Sequence, residues 1–363
     1  MNALGTVEID LAALARNYRL LARGAAPGLC GAVVKADAYG LGVGPVARRL
    51  YREGCRHFFV ATPAEGVELR RLLPDGEIFV FGGLQGAANE DFVAHALLPV
   101  LNTRAEIRRW GGAGPAALHV DTGMSRLGLG KDDVAALKLE ADRVPAVDVR
   151  YVITHLACAD EPDHALNGAQ IETFDALRSL WPDAATSIGN SAGLLLGDAF
   201  RSDLARPGIA LYGGNPFRRE PGPMEPVVTL RARILQLRDV RPGTTIGYGA
   251  SFVADTDLRV ATVGIGYADG YLRSLSNCGI AEVATRRVPV VGRVSMDLTC
   301  LDVSAVPRDQ VAEGDWATMI GGGISLEEIA VLAGTINYEL LTALGSRLER
   351  VYLEDGSPYE EHP

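Results

Sequence analysis

The sequence lacks the features that mark exported, membrane-spanning or nucleic-acid-binding proteins. No apolar run approaches the ~20 residues of a membrane span, and the first residues show no charged segment followed by an apolar one. No block of basic residues occurs and the net charge is -10, which disfavours nucleic acids and anionic membranes as partners. The five cysteines are scattered and form no CxxC pair, which favours a reducing compartment. We therefore expect a cytoplasmic protein with neither a membrane nor a nucleic acid as partner.

Apolar residues and glycine, in contrast, are plentiful. Hydrophobic residues make up 48% of the chain, and there are 42 glycines. Short apolar runs followed by helical periodicity recur near residues 33, 59, 79, 98, 118, 151, 187 and 210. Eight strand-then-helix units of this length predict an α/β fold, a (β/α)₈ barrel of the TIM type. A doubly wound open sheet is the alternative, but no GxGxxG opens a helix after the first run.

The pattern changes after a turn-rich stretch at 213–223, which we interpret as a linker. Beyond it, alternating or apolar segments are separated by turns with no long helix between them, which predicts a mainly antiparallel β domain. These segments are 227–237, 259–264, 282–291 and 299–303. Two short helical pieces, near 325–328 and 338–344, interrupt the pattern. The predicted domains are therefore a barrel at 1–220 and a C-terminal β domain at 228–363.

Polar side chains stand just after several predicted barrel strands. Lys35 follows the first apolar run, and Asp121, His155, Asn190 and Arg206 follow later ones. Residues just past the strands of a barrel share one face, so we expect these side chains to converge. A lysine inside an apolar run is costly unless its charge is neutralised or used, and a Schiff base with an aldehyde cofactor is one such use. A lysine reaching out to solvent at a strand end is the alternative that this stretch alone leaves open.

Seven segments, in order along nearly the whole chain, carry a specific family resemblance. They are VKADAYG at 34–40, VDTGMSRLG at 120–128, THLA at 154–157, NSA at 190–192, RPGIALYG at 206–213, GYADG at 266–270 and GRVSMD at 292–297. In these segments the chain resembles the alanine racemases, pyridoxal-phosphate (PLP) enzymes of fold type III. The resemblance implies a homodimer with shared active sites and no metal, which interconverts L- and D-alanine and supplies D-alanine for peptidoglycan.

The resemblance also implies roles for individual residues. Lys35 is expected to carry PLP and to act as one base, and Tyr267 of the partner subunit is expected to act as the other. Arg126 and the segment around Met296 are expected to hold the substrate carboxylate. The cofactor is expected to contact a further set of residues, namely Tyr39, His155, Asn190, Ser191, Arg206, Gly208, Ile209 and Tyr338.

These implied roles make chemical sense. Racemisation needs one base on each face of a planar intermediate, because a single fixed base returns the proton to the face it came from. An arginine does not readily give up its proton, so Arg206 leaves the pyridine nitrogen unprotonated, weakens the electron sink and should suppress transamination. A free tyrosine titrates near ~10, so Tyr267 needs nearby positive charge to act near neutral pH.

Two positions depart from the family pattern. His119 stands where many members carry a carbamylated lysine that positions the arginine corresponding to Arg126. We therefore expect either a small anion such as chloride or a protein carboxylate beside Arg126. Removal of the anion should then raise the KM for alanine. Ser187 stands where a histidine often precedes the Asn-Ser pair by three residues, which changes the expected network behind Arg206.

Three alternative functions remain. A PLP-dependent decarboxylase shares the architecture but does not need the Tyr-Ala-Asp-Gly segment, and its usual glycine-rich phosphate loop is missing. A non-catalytic PLP carrier is a single barrel, which the second domain argues against. A racemase with broader or different specificity, for example toward serine, is the third, since Met296 and Tyr271 are expected to set the pocket size.

Overall fold

The computed structural model describes residues 3–140, 146–217 and 222–359. Part of the predicted linker, 218–221, lies outside the described residues. None of the helices found in the described residues is both long and apolar enough to cross a membrane.

The first domain is a parallel barrel in which strands alternate with helices, as the sequence predicts. Strand β1 (Gly5–Asp10) precedes the barrel in the chain. The strands of the barrel domain are β2 (Leu29–Cys30), β3 (Ala32–Val33), β4 (His57–Val60), β5 (Glu77–Val80), β6 (Leu97–Leu101), β7 (Pro115–His119), β8 (Asp148–Ile153), β9 (Ala185–Ser187) and β10 (Leu204–Ala205). Strands β3 to β9 pair in sequence order. Strand β10 pairs in parallel with β2. Backbone bonds from Val33 to Pro207 (2.9 Å) and from Arg206 to Gly189 (2.8 Å) close the ring.

The helices of this domain follow the strands. They are α1 (Leu11–Ala25), α2 (Lys35–Gly40), α3 (Val43–Arg52), α4 (Pro63–Leu72), α5 (Asn89–Ala94), α6 (Arg104–Trp110), α7 (Lys131–Leu139), α8 (Leu166–Arg178) and α9 (Ser191–Leu196). Local signals set several of their starts. Asp10 accepts a hydrogen bond from the Ala13 N–H at 2.8 Å and so caps α1. Thr62 and Glu65 form the capping box of α4.

The eighth strand lies earlier in the chain than the sequence predicts. The run near residue 210 is buried, but residues 208–213 form turns, and the strand is β10 at Leu204–Ala205. Burial alone produced the misleading signal, because these turns carry apolar side chains into the core. The turns place backbone N–H groups at the end of the barrel instead of adding a longer strand.

The second domain is a mostly antiparallel sheet, as predicted. Its elements are β11 (Val228–Val240), β12 (Thr245–Ile246), β13 (Phe252–Val253), β14 (Leu258–Val263), β15 (Ile280–Val283), β16 (Arg286–Pro289), β17 (Thr299–Asp302), β18 (Trp316–Ile320), α10 (Leu326–Ala333), α11 (Asn337–Thr342), β19 (Glu349–Glu354) and β20 (Ser357–Pro358). The main strand order is β16-β15-β18-β11-β1-β19-β20, and β14 joins β11 to β17. The long strand β11 alternates buried and half-buried residues along its first half.

The two domains are interlocked by the first strand. Strand β1 precedes the barrel in sequence, yet it pairs antiparallel with β11 and parallel with β19. The predicted barrel segment 1–220 therefore includes a strand of the second domain's sheet. Helix α11 packs in turn against α2 at the end of the first barrel strand, so the second domain contacts the segment that carries Lys35.

Candidate active site

Lys35 begins a left-handed helical turn. Residues 36–39 have φ values of 53°, 52°, 53° and 58°, although none of them is glycine. This region of backbone space is unfavourable for residues with a Cβ, so surrounding contacts must hold the turn. One such contact is a hydrogen bond of 2.8 Å from the Ala36 N–H to Glu65 Oε1.

Glu65 has a second task besides capping α4. Its Oε2 accepts from the backbone N–H groups of Ala61 (2.6 Å) and Thr62 (3.2 Å), while Oε1 holds the Lys35 turn. The capping box is visible in the sequence, but its link to Lys35 is not, because the two segments are joined only in the fold. Glu65 is therefore a supporting residue that sequence reasoning missed.

The environment of Lys35 favours the neutral amine. Burial lowers the pKa of Lys35, and the positive charge of Arg126 lowers it further, while Glu65 acts in the opposite direction. A lysine with a lowered pKa has a larger neutral, nucleophilic fraction near neutral pH.

The basic side chains predicted to converge do so. Burial lowers the pKa of His155 to about 3, with further lowering from the charges of Arg206, Arg126, His119 and Lys35. These groups come from the ends of four different strands, so the barrel gathers them at one face. Two of these groups, Arg206 and Arg126, carry positive charge, so the site favours an anionic ligand.

Arg206 is buried, with 2% of its surface exposed. Its Nη1 donates to Ser187 Oγ (2.6 Å), and its Nη2 donates to the carbonyls of Thr154 (2.5 Å) and Ile188 (3.4 Å). All of these acceptors are neutral, and the described residues provide no ion pair to Arg206. Burial lowers the pKa of Arg206 to about 9, so the guanidinium stays protonated at neutral pH. A buried cation without an anionic partner favours the binding of an anion.

Ser187, one of the two departures from the family pattern, belongs to this network. Its hydroxyl accepts from Arg206 and donates to the Leu204 carbonyl at 2.5 Å. The serine therefore fixes the guanidinium by joining it to the backbone of β10.

His119, the other departure, is held by Asn102. The two side chains meet through His119 Nδ1 and Asn102 Oδ1 at 2.8 Å. The Asn102 amide nitrogen donates to the carbonyls of Phe81 (3.0 Å) and Val100 (2.8 Å), which orients its oxygen toward the imidazole. Nδ1 of His119 therefore carries the proton, and Nε2 is left as an acceptor. Asn102 is a second supporting residue without a sequence signal.

Stability should depend on pH through His119. Burial and the charges of Arg206 and Arg126 lower the pKa of His119 to about 4, whereas an unfolded histidine titrates near ~6.5. The unfolded chain therefore binds more protons between these values, and the free energy of unfolding falls as pH drops through this window. We expect a loss of about 1.4 kcal/mol per pH unit from this residue.

Denaturant unfolding at pH 7, 6 and 5 measures this effect. His119→Gln should lower the slope by this amount while His155 keeps its own contribution, and His164→Gln, at an exposed histidine, should leave the slope unchanged. Equal slopes for wild type and His119→Gln would contradict the assignment of a neutral buried imidazole.

The turn after β10 forms a group of hydrogen-bond donors. The N–H groups of Gly208 (2.9 Å) and Ala210 (3.2 Å) both donate to Ser191 Oγ. The intervening Ile209 N–H and the Ser191 O–H find no hydrogen-bond partner within the described residues. These groups, aligned at the end of the barrel, suit the oxygen atoms of a phosphate.

Tyr39 lies over the same turn. A Cβ on Gly208 would stand 2.2 Å from the Tyr39 hydroxyl, so this position requires glycine for the close approach. The Tyr39 ring packs against Tyr212 with 4.7 Å between centroids, and against Tyr338 at 6.1 Å. Burial raises the pKa of Tyr39 and raises that of Tyr338 to about 12, so both hydroxyls remain donors at neutral pH.

Two of the polar residues after the strands have local structural roles. Asn190 caps α9 by accepting from the Gly193 N–H at 2.9 Å, so its predicted contact with a cofactor stays a prediction. Asp121 accepts from the N–H groups of Gly123, Met124 and Ser125. Asp121 thereby shapes the loop that leads to Arg126.

A buried glutamine joins two active-site loops. Gln170 donates to Thr122 Oγ1 (2.9 Å) and to the His155 carbonyl (3.0 Å), and it accepts from the Ala157 N–H (2.8 Å). Gln170 occupies a helix position beside apolar residues, so nothing in the sequence distinguishes it from a solvent-facing residue.

Arg126 is exposed. Over the ranges that the structure describes, its guanidinium forms neither a hydrogen bond nor an ion pair, so no protein carboxylate satisfies it there. The predicted anion beside Arg126 stays a prediction. No group of three or more His, Cys, Asp or Glu side chains among the described residues is arranged to hold a metal ion.

Tyr267 lies in the second domain, in a turn with 42% of its residue surface exposed. The neighbouring Asp269 is buried and accepts from Arg347 Nε and from the Gly266 N–H, both at 2.9 Å. Arg347 also donates to Asp297 at 2.8 Å. This arginine therefore ties the Tyr267 turn to the loop at 292–297.

The two residues expected to set the pocket size differ in accessibility. Met296 is 53% exposed, and its carbonyl accepts from the Ala268 N–H at 3.0 Å, beside Tyr267. Tyr271 is 2% exposed and belongs to the core of the second domain. The expectation that Tyr271 lines the substrate pocket stays a prediction.

The barrel end therefore contains an amine with a lowered pKa, four further basic side chains and a set of hydrogen-bond donors without acceptors in the described residues. Such a site can attach an aldehyde covalently while binding its anionic groups. An exposed tyrosine of the second domain, Tyr267, lies beside the loop at 292–297.

Two family models match the chain. The description "Alanine racemase, N-terminal domain" matches residues 9–216, and "Alanine racemase, C-terminal domain" matches residues 227–352. An alanine racemase from Methylobacterium sp. (strain 4-46) is 46% identical over 355 residues, which are 96% of this chain and 97% of that protein. A catabolic alanine racemase from Agrobacterium fabrum is 44% identical over 362 residues, which are 98% of this chain and 93% of that protein.

Solved structures agree with these matches. The alanine racemase from Bartonella henselae with covalently bound pyridoxal phosphate has a TM-score of 0.92 and 38% identity, covering 97% of this chain and all of that one. The biosynthetic alanine racemase from Pseudomonas aeruginosa has a TM-score of 0.90 and 34% identity over 97% of this chain. The predicted fold and family are confirmed, and the chain belongs to the alanine racemase family.

Proposed function

We propose that this protein interconverts L- and D-alanine with PLP attached to Lys35, and that Tyr267 of a partner subunit completes the site. The observation that carries the proposal is the convergence of Lys35, Arg206, Arg126 and His155 at one barrel end, where no carboxylate of the described residues neutralises Arg206. Family membership supports the same activity.

The residues at the barrel end fit PLP. The Ser191 O–H, Ile209 N–H and Tyr39 O–H suit the phosphate, because they surround the Gly208 backbone and are donors without acceptors in the described ranges. Arg206 suits the pyridine nitrogen, because its guanidinium is buried and fixed by neutral acceptors.

When bound, PLP supplies an electron sink that acidifies the Cα–H of an attached amino acid. The residues of this chain determine where the proton goes. Lys35 Nζ, freed from the cofactor, takes or returns a proton on one face. The Tyr267 hydroxyl does so on the other face, so inversion follows when one group removes the proton and the other delivers it. Arg206 keeps its own proton and thereby limits the strength of the sink.

Substrate binding is assigned to Arg126 and Met296. A guanidinium that is unpaired in the described part of the chain is available to a carboxylate, and arginine binds carboxylates in a bidentate manner. The Met296 backbone lies beside Tyr267, so the side chain of a small amino acid would meet this loop. We infer that the loop limits the substrate to small side chains, with serine as the second candidate.

The experiment that tests the proposal uses single enantiomers in deuterated water. Pure protein with PLP should invert L-alanine and D-alanine, and the product should carry deuterium at Cα. Inversion of serine at a comparable kcat/KM would favour the broader specificity. Retention of configuration, or loss of the carboxylate as carbon dioxide, would contradict a racemase.

Covalent attachment can be assigned directly because the chain has three lysines, Lys35, Lys131 and Lys138. Borohydride reduction followed by peptide mapping should place the pyridoxyl group on Lys35. The other two lie on α7 and are exposed. The double variant Lys131→Arg, Lys138→Arg should therefore label like the wild type. A label on either of these lysines would contradict the assignment.

We also infer a cytoplasmic location and a role in supplying D-alanine for peptidoglycan. The relatives include a catabolic and a biosynthetic racemase, so the two roles need a cellular test. Deletion of the gene should make growth depend on added D-alanine. Growth without D-alanine, together with an inability to use alanine as carbon source, would favour the catabolic role.

A further inference from the structure

Arg350 of β19 binds five times to backbone carbonyls from two different segments. Its Nε (2.9 Å) and Nη2 (2.7 Å) both donate to the Gly40 carbonyl. Its Nη2 also donates to Leu344 (3.1 Å), and its Nη1 donates to Gly345 (3.2 Å) and Leu348 (3.3 Å). The guanidinium therefore joins the end of the Lys35 turn to the segment at 344–348.

The first of these contacts supports the left-handed turn. Gly40 is the last residue of α2, and its φ of 83° suits glycine. A Cβ there would lie 2.6 Å from the Leu341 carbonyl, so the turn is packed closely against α11. The next carbonyl, that of Leu41, accepts from the Tyr352 hydroxyl at 3.0 Å. Strand β19 thus holds the end of an unfavourable backbone conformation.

The second set of contacts supports the turn that carries Tyr267. The Gly345 N–H donates to the Asp269 carbonyl at 2.9 Å, and Asp269 ends the single helical turn that Tyr267 begins. The Gly345 carbonyl accepts from Arg350. One residue, Gly345, therefore separates the guanidinium from the Tyr267 turn.

We propose that Arg350 is a positioning residue that holds the Lys35 turn and the Tyr267 turn of one chain in a fixed relation. The proposal rests on the proposed function, since that function assigns the two bases. An arginine suits this task because its planar fork carries five donors, whereas a lysine has three donors on a single nitrogen. If Tyr267 serves the partner's site, Arg350 also connects the supports of both active sites.

Hydrogen exchange tests the proposal on the holoenzyme without substrate. In Arg350→Lys, amides near Leu41 and Gly42 and amides at 269–271 should both exchange about tenfold faster. The first segment loses the bonds from Arg350 to the Gly40 carbonyl, and the second loses the support of Gly345, whose N–H binds the Asp269 carbonyl. Tyr352→Phe should affect the first segment alone, since its hydroxyl reaches only Leu41 in that region.

Arg70 provides a matched control. Its guanidinium also donates to four backbone carbonyls, those of Leu73, Pro74, His95 and Ala96, but these lie at the opposite end of the barrel. Arg70→Lys should leave exchange in both active-site segments at the wild-type rate. An equal effect of Arg70→Lys would mean that the response is general loosening, and it would overturn the proposal.

The kinetic signature differs from that of a merely structural residue. Arg350→Lys should lower kcat in both directions by about tenfold, with a KM change below about twofold, because the bases are displaced while Arg126 still binds the carboxylate. Exchange is measured without turnover, so it remains decisive even if the wild type fails to racemise alanine.

If Arg350→Lys does not fold, hydrogen exchange of the wild type at low denaturant concentrations replaces the variant. The two segments should then open with the same free energy and with the same dependence of that free energy on denaturant concentration. Exchange at the wild-type rate in either segment of a folded Arg350→Lys would overturn the proposal. In the wild-type experiment, opening of the two segments with different free energies would overturn it too.

Discussion

Tyr267→Phe is expected to slow removal of the Cα proton from L-alanine by roughly 10²–10⁴-fold, the usual effect of losing a positioned base. Removal of the proton from D-alanine should change far less, because Lys35 serves that face. The backbone around Tyr267 is fixed by Asp269 and Arg347, and phenylalanine keeps the ring. The loss can therefore be assigned to the hydroxyl. Deuterium exchange at Cα, measured separately from each enantiomer, separates the two half-reactions.

A tyrosine of the barrel domain serves as the control for this experiment. Tyr51 lies in α3, where its ring packs under Arg56, and Tyr51→Phe should leave both exchange rates unchanged. Equal and small effects of Tyr267→Phe on both enantiomers would contradict the two-base scheme. An equally large loss from both enantiomers would instead indicate that the hydroxyl is needed for cofactor or substrate binding.

Mixing two inactive variants is expected to restore activity. Lys35→Ala removes the attachment point and one base, and Tyr267→Phe removes the other base. Random exchange between subunits makes half of the dimers hybrid, and one of the two sites in each hybrid then has both wild-type bases. The mixture should reach about a quarter of wild-type activity, as expected for a twofold-symmetric dimer with shared sites.

Subunit exchange must be shown independently, for example with two affinity tags, before the result is interpreted. Each variant, taken alone through the same subunit-exchange procedure, should stay inactive. No recovery despite demonstrated hybrids would place both bases of a site in one chain. It would also remove the reason for proposing a shared site, while attachment of PLP to Lys35 would be unaffected.

The sequence could predict the residues that stand at the ends of strands. Lys35 and His155 follow predicted apolar runs, and the barrel rule places such residues on one face. Arg206 precedes the run predicted near 210, and it follows a strand only because the eighth strand is β10. In the structure Arg206 and Lys35 lie close enough to His155 to lower its pKa. The prediction works because it depends on local periodicity and on a topology that the repetition itself indicates.

The sequence could not predict the contacts that hold these residues. Glu65 is visible as a capping residue, yet its bond to the Lys35 turn crosses 29 positions. The bonds from Arg350 to Gly40 cross 310 positions, and nothing in the local pattern distinguishes this arginine from others on the surface. The left-handed turn at 36–39 was equally hidden, because none of its residues is glycine.

The amino-acid sequence by itself therefore determined the two-domain architecture, the order of the motifs and the residue types of the site. It did so because helical and strand periodicity are written in consecutive residues. The tertiary structure alone decided the position of the eighth strand, the tautomer of His119, the burial of Tyr271 and the supports of Lys35 and Tyr267. Each of these depends on which distant groups meet in the folded chain, and an unpaired or buried polar group takes its state from those neighbours.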